Sequence, residues 1–261
     1  MPALASPVVH DLARRDVIAT AQRPKEISPR AMAQLGAILL LATIVAGVFA
    51  QGVLSDRLIV AGDAAATARN ISANTSVVRA AFAIFMIEMA CQIGTTAAMY
   101  QLLKPVDRTL STTAAVFGYV GSGIKILARL FFYAPLFVLS SSSYLSAFNH
   151  SQLEAVSALF IRINDLGAGT ACIFLGINTI MIGYLMLRAT FVPRVLGVIG
   201  VIGGAGWLSY LYPPLASVLF LPVALFALVS CAVTIGWLLI RGVDERKWHE
   251  MAAASTASIW R

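Results

Sequence analysis

Five charged residues lie within stretches of the sequence that are otherwise apolar: Glu88, Lys125, Arg129, Arg162 and Asp165. In a membrane-spanning helix an ionised group costs about 2.5–3.5 kcal/mol on insertion scales, so each must meet a partner or line a polar space. Lys125 and Arg129 are four residues apart, which places them on one face of a helix. Arg162 and Asp165, three apart, share a face in the same way. These residues form the candidate site.

The depth of these residues in the predicted spans indicates what the site would bind. Glu88 and Lys125 each lie about 15 residues, roughly 22 Å, from the cytoplasmic end of a span, so we expect them to pair. The other three lie nearer the outer boundary. Together the five would line a vestibule open to the outside, with a positive excess that suits an anionic or amphiphilic ligand. The alternative is a set of ion pairs that holds the second, third and fourth spans together.

The sequence offers few groups for catalysis. Ser122 lies between two glycines, as in some intramembrane serine proteases, but no histidine lies at membrane depth to act as its base. The same shortage excludes a histidine metal site. The cysteines are Cys91, Cys172 and Cys231, without the spacing of a zinc or disulfide framework. A membrane enzyme that uses Glu88 or Asp165 stays an alternative, although neighbouring cations would keep both carboxylates ionised. We expect no cofactor and no metal.

The composition is that of an integral membrane protein. Hydrophobic residues make up 59% and charged residues 12% of the 261 positions, whereas soluble domains are near 25% charged. The net charge of +7 comes largely from cations at the ends of apolar stretches, where they fix topology. We therefore expect membrane lipids as partners and no nucleic acid.

Apolar stretches long enough for the roughly 20 residues that a bilayer requires predict six spans. They cover residues 31–54, 79–103, 110–139, 166–188, 193–211 and 215–240. No alternation of period two competes with helix, so the fold class is an all-α, polytopic transmembrane bundle. Residues 1–30 are predicted to be a disordered cytoplasmic tail, 31–240 the transmembrane domain and 241–261 a second cytoplasmic tail.

The distribution of cations in the loops predicts that both termini are cytoplasmic. The cations on the inner side would be Arg14, Arg15, Arg23, Lys25, Arg30, Lys104, Arg108, Arg188, Arg194, Arg241, Arg246, Lys247 and Arg261. Those on the outer side would be Arg57, Arg69 and Arg79. Reversing the orientation would reverse a strongly one-sided distribution. The inner half carries few polar groups, which disfavours a channel, and no inverted repeat supports a transporter.

Several local signals refine the helices. Asp63 is a plausible N-cap for a short alanine-rich helix. After the serine run Ser140–Ser143, the pattern from Ser151 to Glu154 is typical of a capping box, so the helix of the fourth span starts outside the hydrocarbon. It must then project outward or bend at Gly167 and Gly169, because it is longer than a bilayer is thick.

The fifth span is rich in glycine. Gly200 and Gly204 have the spacing that permits close helix contact. Such residues line contacts within a chain as well as between chains, and we favour internal packing over a homo-oligomer.

Five segments carry a family resemblance: Leu58–Thr67, Tyr100–Val106, Gly183–Leu185, Pro193–Gly197 and Trp237–Val243. They resemble a bacterial membrane family known as a domain of unknown function, DUF4386, and the resemblance spans about residues 31 to 248. It implies a six-helix protein of the bacterial plasma membrane and no particular activity. Where relatives often carry an Arg and a Glu three residues later, this chain has Gly123 and Ile126 with Lys125 between them. The expected function is to bind, sense or transport an anionic or amphiphilic ligand; a structural subunit is the other non-enzymatic alternative.

Overall fold

The structure is a computed structural model that describes residues 27–140 and 146–258. Most of the predicted N-terminal tail and Ser141–Ser143 of the serine run lie outside these ranges. The described residues form helices and contain no strand. Six of the helical segments in these ranges are long and apolar enough to cross a membrane. The all-α class and the six-span prediction are therefore confirmed.

The helices are numbered in chain order. They are α1 (Pro29–Val48), which continues as a π-helix (Phe49–Ser55), α2 (Ala64–Ala73), α3 (Thr75–Leu103), α4 (Arg108–Tyr133), α5 (Pro135–Val138), α6 (His150–Arg188), α7 (Arg194–Trp207), which continues as a 3₁₀-helix (Leu208–Leu211), α8 (Pro213–Ile240) and α9 (Glu245–Ser258). The six candidate spans are α1 with its π-helix, α3, α4 with α5, α6, α7 with its 3₁₀-helix, and α8.

The six spans form a closed ring. Each packs against its neighbours in the chain, and α8 packs against α1 as well as α7. Both described ends of the chain lie at one end of the ring, where the Arg30 backbone N–H donates to Glu245 Oε1 at 3.3 Å. We call this end the terminal side and the other the opposite side.

Two apolar clusters fill the ring. The terminal cluster is centred on Met99, Leu102, Leu103, Leu185, Met186, Leu196 and Leu238. The opposite cluster is centred on Leu58, Ile71, Val78, Phe85, Phe132 and Ile161. Because the candidate charges lie on α3, α4 and α6 at the level of the opposite cluster, that half must accommodate charge within its core.

The helix α6 begins earlier than the sequence predicts and is not interrupted at its glycines. Its capping box is formed by Asn149 and Gln152, so the predicted box from Ser151 to Glu154 was wrong by two residues. Ser151 is exposed, and its hydroxyl donates to Asn149 Oδ1 at 2.7 Å. The 39 residues form one uninterrupted helix, about 58 Å long, and therefore longer than the ~30 Å hydrocarbon core.

The two glycines at which a bend was considered serve close packing instead. A Cβ at Gly167 would lie 2.7 Å from that of Ala128 on α4, and one at Gly169 would lie 2.7 Å from the ring of Tyr210. Gly167 and Gly169 thus let α4 and the 3₁₀-helix approach α6, and α6 continues through them.

The glycines of α7 also serve packing within the chain. A Cβ at Gly204 would lie 2.7 Å from the Gly176 carbonyl oxygen, and one at Gly200 would lie 3.3 Å from Gly183 Cα. Both partners belong to α6, so this surface of α7 is covered by the same chain, as the favoured interpretation expected. The predicted cap of α2 is also confirmed, because Asp63 Oδ1 accepts from the Ala66 N–H at 2.7 Å.

Candidate functional site

A buried ion pair joins α3 to α4. Lys125 Nζ donates to Glu88 Oε1 at 2.5 Å, and the two side chains are 17% and 5% exposed. The predicted pairing is confirmed, and the contact is direct. The second carboxylate oxygen, Oε2, is buried and has no hydrogen-bond partner among the described residues. Glu88 therefore depends on Lys125 for its compensation.

A glycine of α1 completes the pocket that holds this carboxylate. A Cβ at Gly47 would lie 2.9 Å from Glu88 Oε1. Only a residue without a side chain leaves the carboxylate room to stay in line with Lys125. The ion pair is thus enclosed by three helices, α1, α3 and α4.

Arg129 lies one turn beyond Lys125 on α4 and is only 4% exposed. Its Nη1 donates to Asn164 Oδ1 at 3.1 Å, and its Nη2 contacts Gln51 Oε1 at 3.5 Å. Its guanidinium carbon lies 3.6 Å from the centroid of the Phe85 ring, a cation–π contact. Across residues 27–140 and 146–258, no carboxylate forms an ion pair with Arg129.

The buried charges do not cancel. Glu88 contributes one negative charge, while Lys125 and Arg129 contribute two positive ones. Among the described residues, the groups in direct contact with the Arg129 guanidinium are neutral, and its buried Nε lacks a hydrogen-bond partner there. The group therefore keeps one positive charge in excess, which makes its surroundings favourable for an anion.

The other two candidate residues differ from this buried group, because Arg162 and Asp165 are exposed. Arg162 makes no ion pair or hydrogen bond through its side chain with any described residue. Asp165 Oδ1 accepts from Asn164 Nδ2 at 3.0 Å. Since the Asn164 amide also bonds Arg129 through its oxygen, this one side chain links the buried group to the exposed pair.

Two clefts open beside the exposed pair. The α2 cleft, of about 530 Å³, lies between the start of α2 and α6 and is lined by Asp63, Thr67, Ile161, Arg162 and Asp165 among others. The α8 cleft, of about 350 Å³, lies between α6, the 3₁₀-helix and α8 and is lined by Asp165, Gly169, Tyr210, Ser217 and Phe220 among others. Asp165 borders both clefts. Of the five candidates, the structure thus brings three together in the core and places two at the clefts. The expectation that all five line one vestibule was therefore wrong, because neither cleft is lined by Glu88, Lys125 or Arg129.

The sequence analysis did not single out Gln51, Asn164 or Phe85. Asn164 could have been found, since an amide within an apolar helix commonly marks a contact between helices. Gln51 belongs to the π-helix that ends the first span. Such segments are frequent at functional sites, but no residue pattern in this segment predicts a π-helix. Phe85 looks like any apolar residue and gains its role from the guanidinium that stacks on it.

These features define the class of protein: a helical membrane protein of six spans with a buried, positively charged group in one half. The family model described as Domain of unknown function (DUF4386) matches residues 35–242, so the chain belongs to that family. This confirms the resemblance. No curated protein and no solved structure matches the chain.

Proposed function

We propose that this protein resides in a bacterial plasma membrane with both termini in the cytoplasm, and binds an anionic or amphiphilic ligand at an outward-facing polar site. The observation that carries the proposal is Arg129, a buried cation whose direct contacts with described residues are all neutral. An anion near Arg129 would gain a strong electrostatic interaction, because the surroundings exclude water. Glu88 and Asp165 attract Arg129 electrostatically, but no described carboxylate forms a direct ion pair with it.

The α2 cleft supplies the place where such a ligand would meet the protein. Arg162 lines it and forms no ion pair or hydrogen bond through its side chain with any described residue, and Asp165 interacts with it only electrostatically. Its guanidinium is therefore available to a phosphate or carboxylate head group. The apolar residues beside it, among them Ile59 and Ile161, suit a hydrocarbon tail. We therefore infer that the ligand is a single-headed anionic amphiphile. Its head group would lie toward Arg162 and would be attracted electrostatically by Arg129.

Binding of dodecyl phosphate to the purified chain in nanodiscs tests this proposal. We expect it to bind more tightly than dodecyltrimethylammonium, which has the same tail and the opposite charge. Arg162→Gln should weaken dodecyl phosphate about tenfold or more, the factor that a charge-assisted hydrogen bond carries. Arg69→Gln is the matched control, because Arg69 is exposed on α2 and does not line the cleft. Equal binding of both amphiphiles, or equal effects of both variants, would contradict the proposal.

The orientation needs its own experiment. A cysteine at Phe148, which is 50% exposed, should react with a membrane-impermeant maleimide in intact cells. Phe148 is preferable to Asn149, whose side chain caps α6. A cysteine at Arg246, exposed near the start of α9, should react only after the cells are opened. The reverse pattern would place the site in the cytoplasm.

A structural subunit of a membrane assembly is the second candidate. The direct contact between Lys125 and Glu88 favours it, because such a pair joins two helices whether or not a ligand is present. On this alternative, Arg162→Gln would change no binding, and only the buried group would matter for stability. The enzyme alternative has less support, since Lys125 holds Glu88 as a paired carboxylate.

A further inference from the structure

A cavity of about 120 Å³ lies inside the ring, among the residues of the terminal cluster. Its walls come from α1, α3, α6, α7 and α8, and most of them are apolar. The polar side chains on the wall are Gln92, Thr95, Asn178, Thr179, Ser230 and Thr234. Among the described residues, no charged side chain lines this inner cavity. It is thus chemically unlike the two clefts of the opposite side.

The hydroxyls of α8 are arranged unusually. In a helix, a buried Ser or Thr commonly donates to the carbonyl four residues earlier, as Thr95 and Thr179 do at 2.9 and 2.8 Å. Ser230 and Thr234 make no side-chain hydrogen bond to any described residue, although Ser230 is only 8% exposed. They are four residues apart, so they lie on one face of α8, the face that lines the cavity.

Amide groups line the cavity from other helices. The side chain of Gln92 on α3 also makes no hydrogen bond within the described ranges. Asn178 on α6 is 4% exposed and donates through Nδ2 to the Ala114 carbonyl at 2.7 Å. Polar groups without partners are costly in an apolar interior. Two free hydroxyls and one free amide therefore converge on a space that is otherwise hydrophobic.

We propose that the inner cavity binds a small neutral amphiphile that carries a hydroxyl or carbonyl group. Gln92, Ser230 and Thr234 would bond the polar group, and residues such as Leu40 and Ile182 would surround the apolar part. A mostly apolar wall with a few convergent polar groups is the usual form of a small-molecule site. The absence of charge from the wall excludes an ion.

The size of the cavity restricts the ligand further. An engineered cavity of about 150 Å³ in another protein accommodates benzene, and this one is somewhat smaller, so its ligand is at most a single small ring or a short chain. Access from the lipid beside α8 is the simplest route. Of the six spans, α8 is the least buried, and Pro222 removes one of its backbone hydrogen bonds.

Phenol and toluene are suitable probes, because they have nearly the same size and differ only in that phenol carries a hydroxyl where toluene carries a methyl group. The native thiol of Cys231 lines the inner cavity, whereas Cys91 and Cys172 do not, so the unaltered chain contains its own controls. Iodoacetamide labelling in nanodiscs, read for each cysteine by mass spectrometry, should show that phenol slows the alkylation of Cys231 alone. Toluene should protect it at least about fivefold less well at equal concentration in the membrane.

Two variants assign the effect to the hydroxyls. Ser230→Ala and Thr234→Val should each raise the phenol concentration needed for half-protection about fivefold and leave toluene unchanged. Thr43→Val is the matched control, because the Thr43 hydroxyl is already bonded to the Leu39 carbonyl and does not line the cavity. Thermal unfolding of the unaltered chain should also shift upward with phenol.

Three results would overturn the proposal. Equal protection of Cys231 by phenol and toluene would mean that the cavity binds small apolar molecules and does not recognise a hydroxyl group. Equal protection of all three cysteines would mean a general effect of phenol on the membrane. A Cys231 that does not react without phenol, together with no thermal shift, would mean that nothing of this size enters, and that water alone satisfies the polar groups.

Discussion

The two halves of the ring treat charge in opposite ways. In the opposite half, Glu88 and Arg129 are buried and Lys125 is half-buried, next to large apolar side chains such as Phe85 and Phe132. In the terminal half, the core is apolar, and charges stay at its rim. Arg188 and Asp107 form an ion pair there at 3.2 Å, with side chains 49% and 32% exposed. The chemical groups are alike, and their surroundings differ.

The exposed and the buried charges therefore differ in what they contribute to the free energy of folding. An exposed ion pair contributes about 0–1 kcal/mol, and water can replace either partner. Within the buried group, removing one partner leaves the other without compensation, at a cost of about 3–5 kcal/mol. Apolar residues of similar volume would often hold the helices as well, so a buried group with excess positive charge suggests a role beyond packing.

The largest effect should come from Lys125→Met, which leaves Glu88 buried and unpaired. We expect the free energy of unfolding to fall by about 3 kcal/mol, unless the carboxyl group takes up a proton. The measurement is reversible unfolding in detergent, compared with the unaltered chain.

The double variant Glu88→Gln with Lys125→Met tests whether the loss arises from the pair. It should recover part of the stability, since no unpaired charge is left. If the effects of the two single changes simply add, the two residues do not interact, and the buried group would be a set of independent charges.

A smaller loss should follow Gly47→Ala. The new methyl group would lie 2.9 Å from Glu88 Oε1, so the carboxylate would have to shift away from Lys125. Overpacking of this kind costs about 1–3 kcal/mol. Gly123→Ala on α4 is the control, because nothing lies within 4 Å of its Cβ position. Alanine there should stabilise the helix slightly, by about 0.5–1 kcal/mol. A similar loss in both variants would mean that Gly47 has no specific relation to the ion pair.

The sequence predicted features that depend on one helix or on depth. Span number follows from the length of apolar stretches, and the contact between Glu88 and Lys125 follows from their equal distance from the membrane face. Features that depend on how the helices close into a ring could not be predicted from the sequence. The meeting of Gln51 with Arg129 requires the end of the first span to pack beside the third, which no local pattern encodes.

The errors have a similar origin. Gly167 was considered as one possible place to bend because glycine weakens a helix, yet it lets Ala128 on α4 pack closely, and α6 continues through it. The start of α6 was placed at Ser151 because serine is a good N-cap, but Asn149 caps equally well and has a glutamine three residues later. The polar wall of the inner cavity was overlooked because its residues are spread over three helices.

Arg188→Gln should change the free energy of unfolding only slightly. Comparing it with Lys125→Met measures how much the burial of an ion pair contributes to the stability lost when the pair is broken. The Arg188 pair is exposed, so we expect a change of about 0.5 kcal/mol or less, which salt should reduce further. Asp107 is not a suitable target, because Oδ1 also caps α4 by accepting from the Leu110 N–H at 3.0 Å. A loss of stability as large as that of Lys125→Met would contradict the conclusion that ion pairs in the two halves contribute differently to stability.

The smallest effect should appear at Asp244, which precedes α9 on the terminal side. The Lys247 backbone N–H donates to its carboxylate at 3.2 Å, and this hydrogen bond lowers the pKa of Asp244. A carboxyl group with a lowered pKa stabilises the folded state above its unfolded pKa of about 3.9, and the contribution is lost as the pH falls through the folded value. Protection of the Lys247 amide from hydrogen exchange should therefore decrease below about pH 4 in the native chain. Asp244→Asn should keep part of this protection without the pH dependence, and Asp244→Ala should lose it at every pH, with the melting temperature of the spans unchanged in both. If Asp244→Ala lowered that temperature as Lys125→Met does, the exposed charges of the terminal side would matter to the core after all.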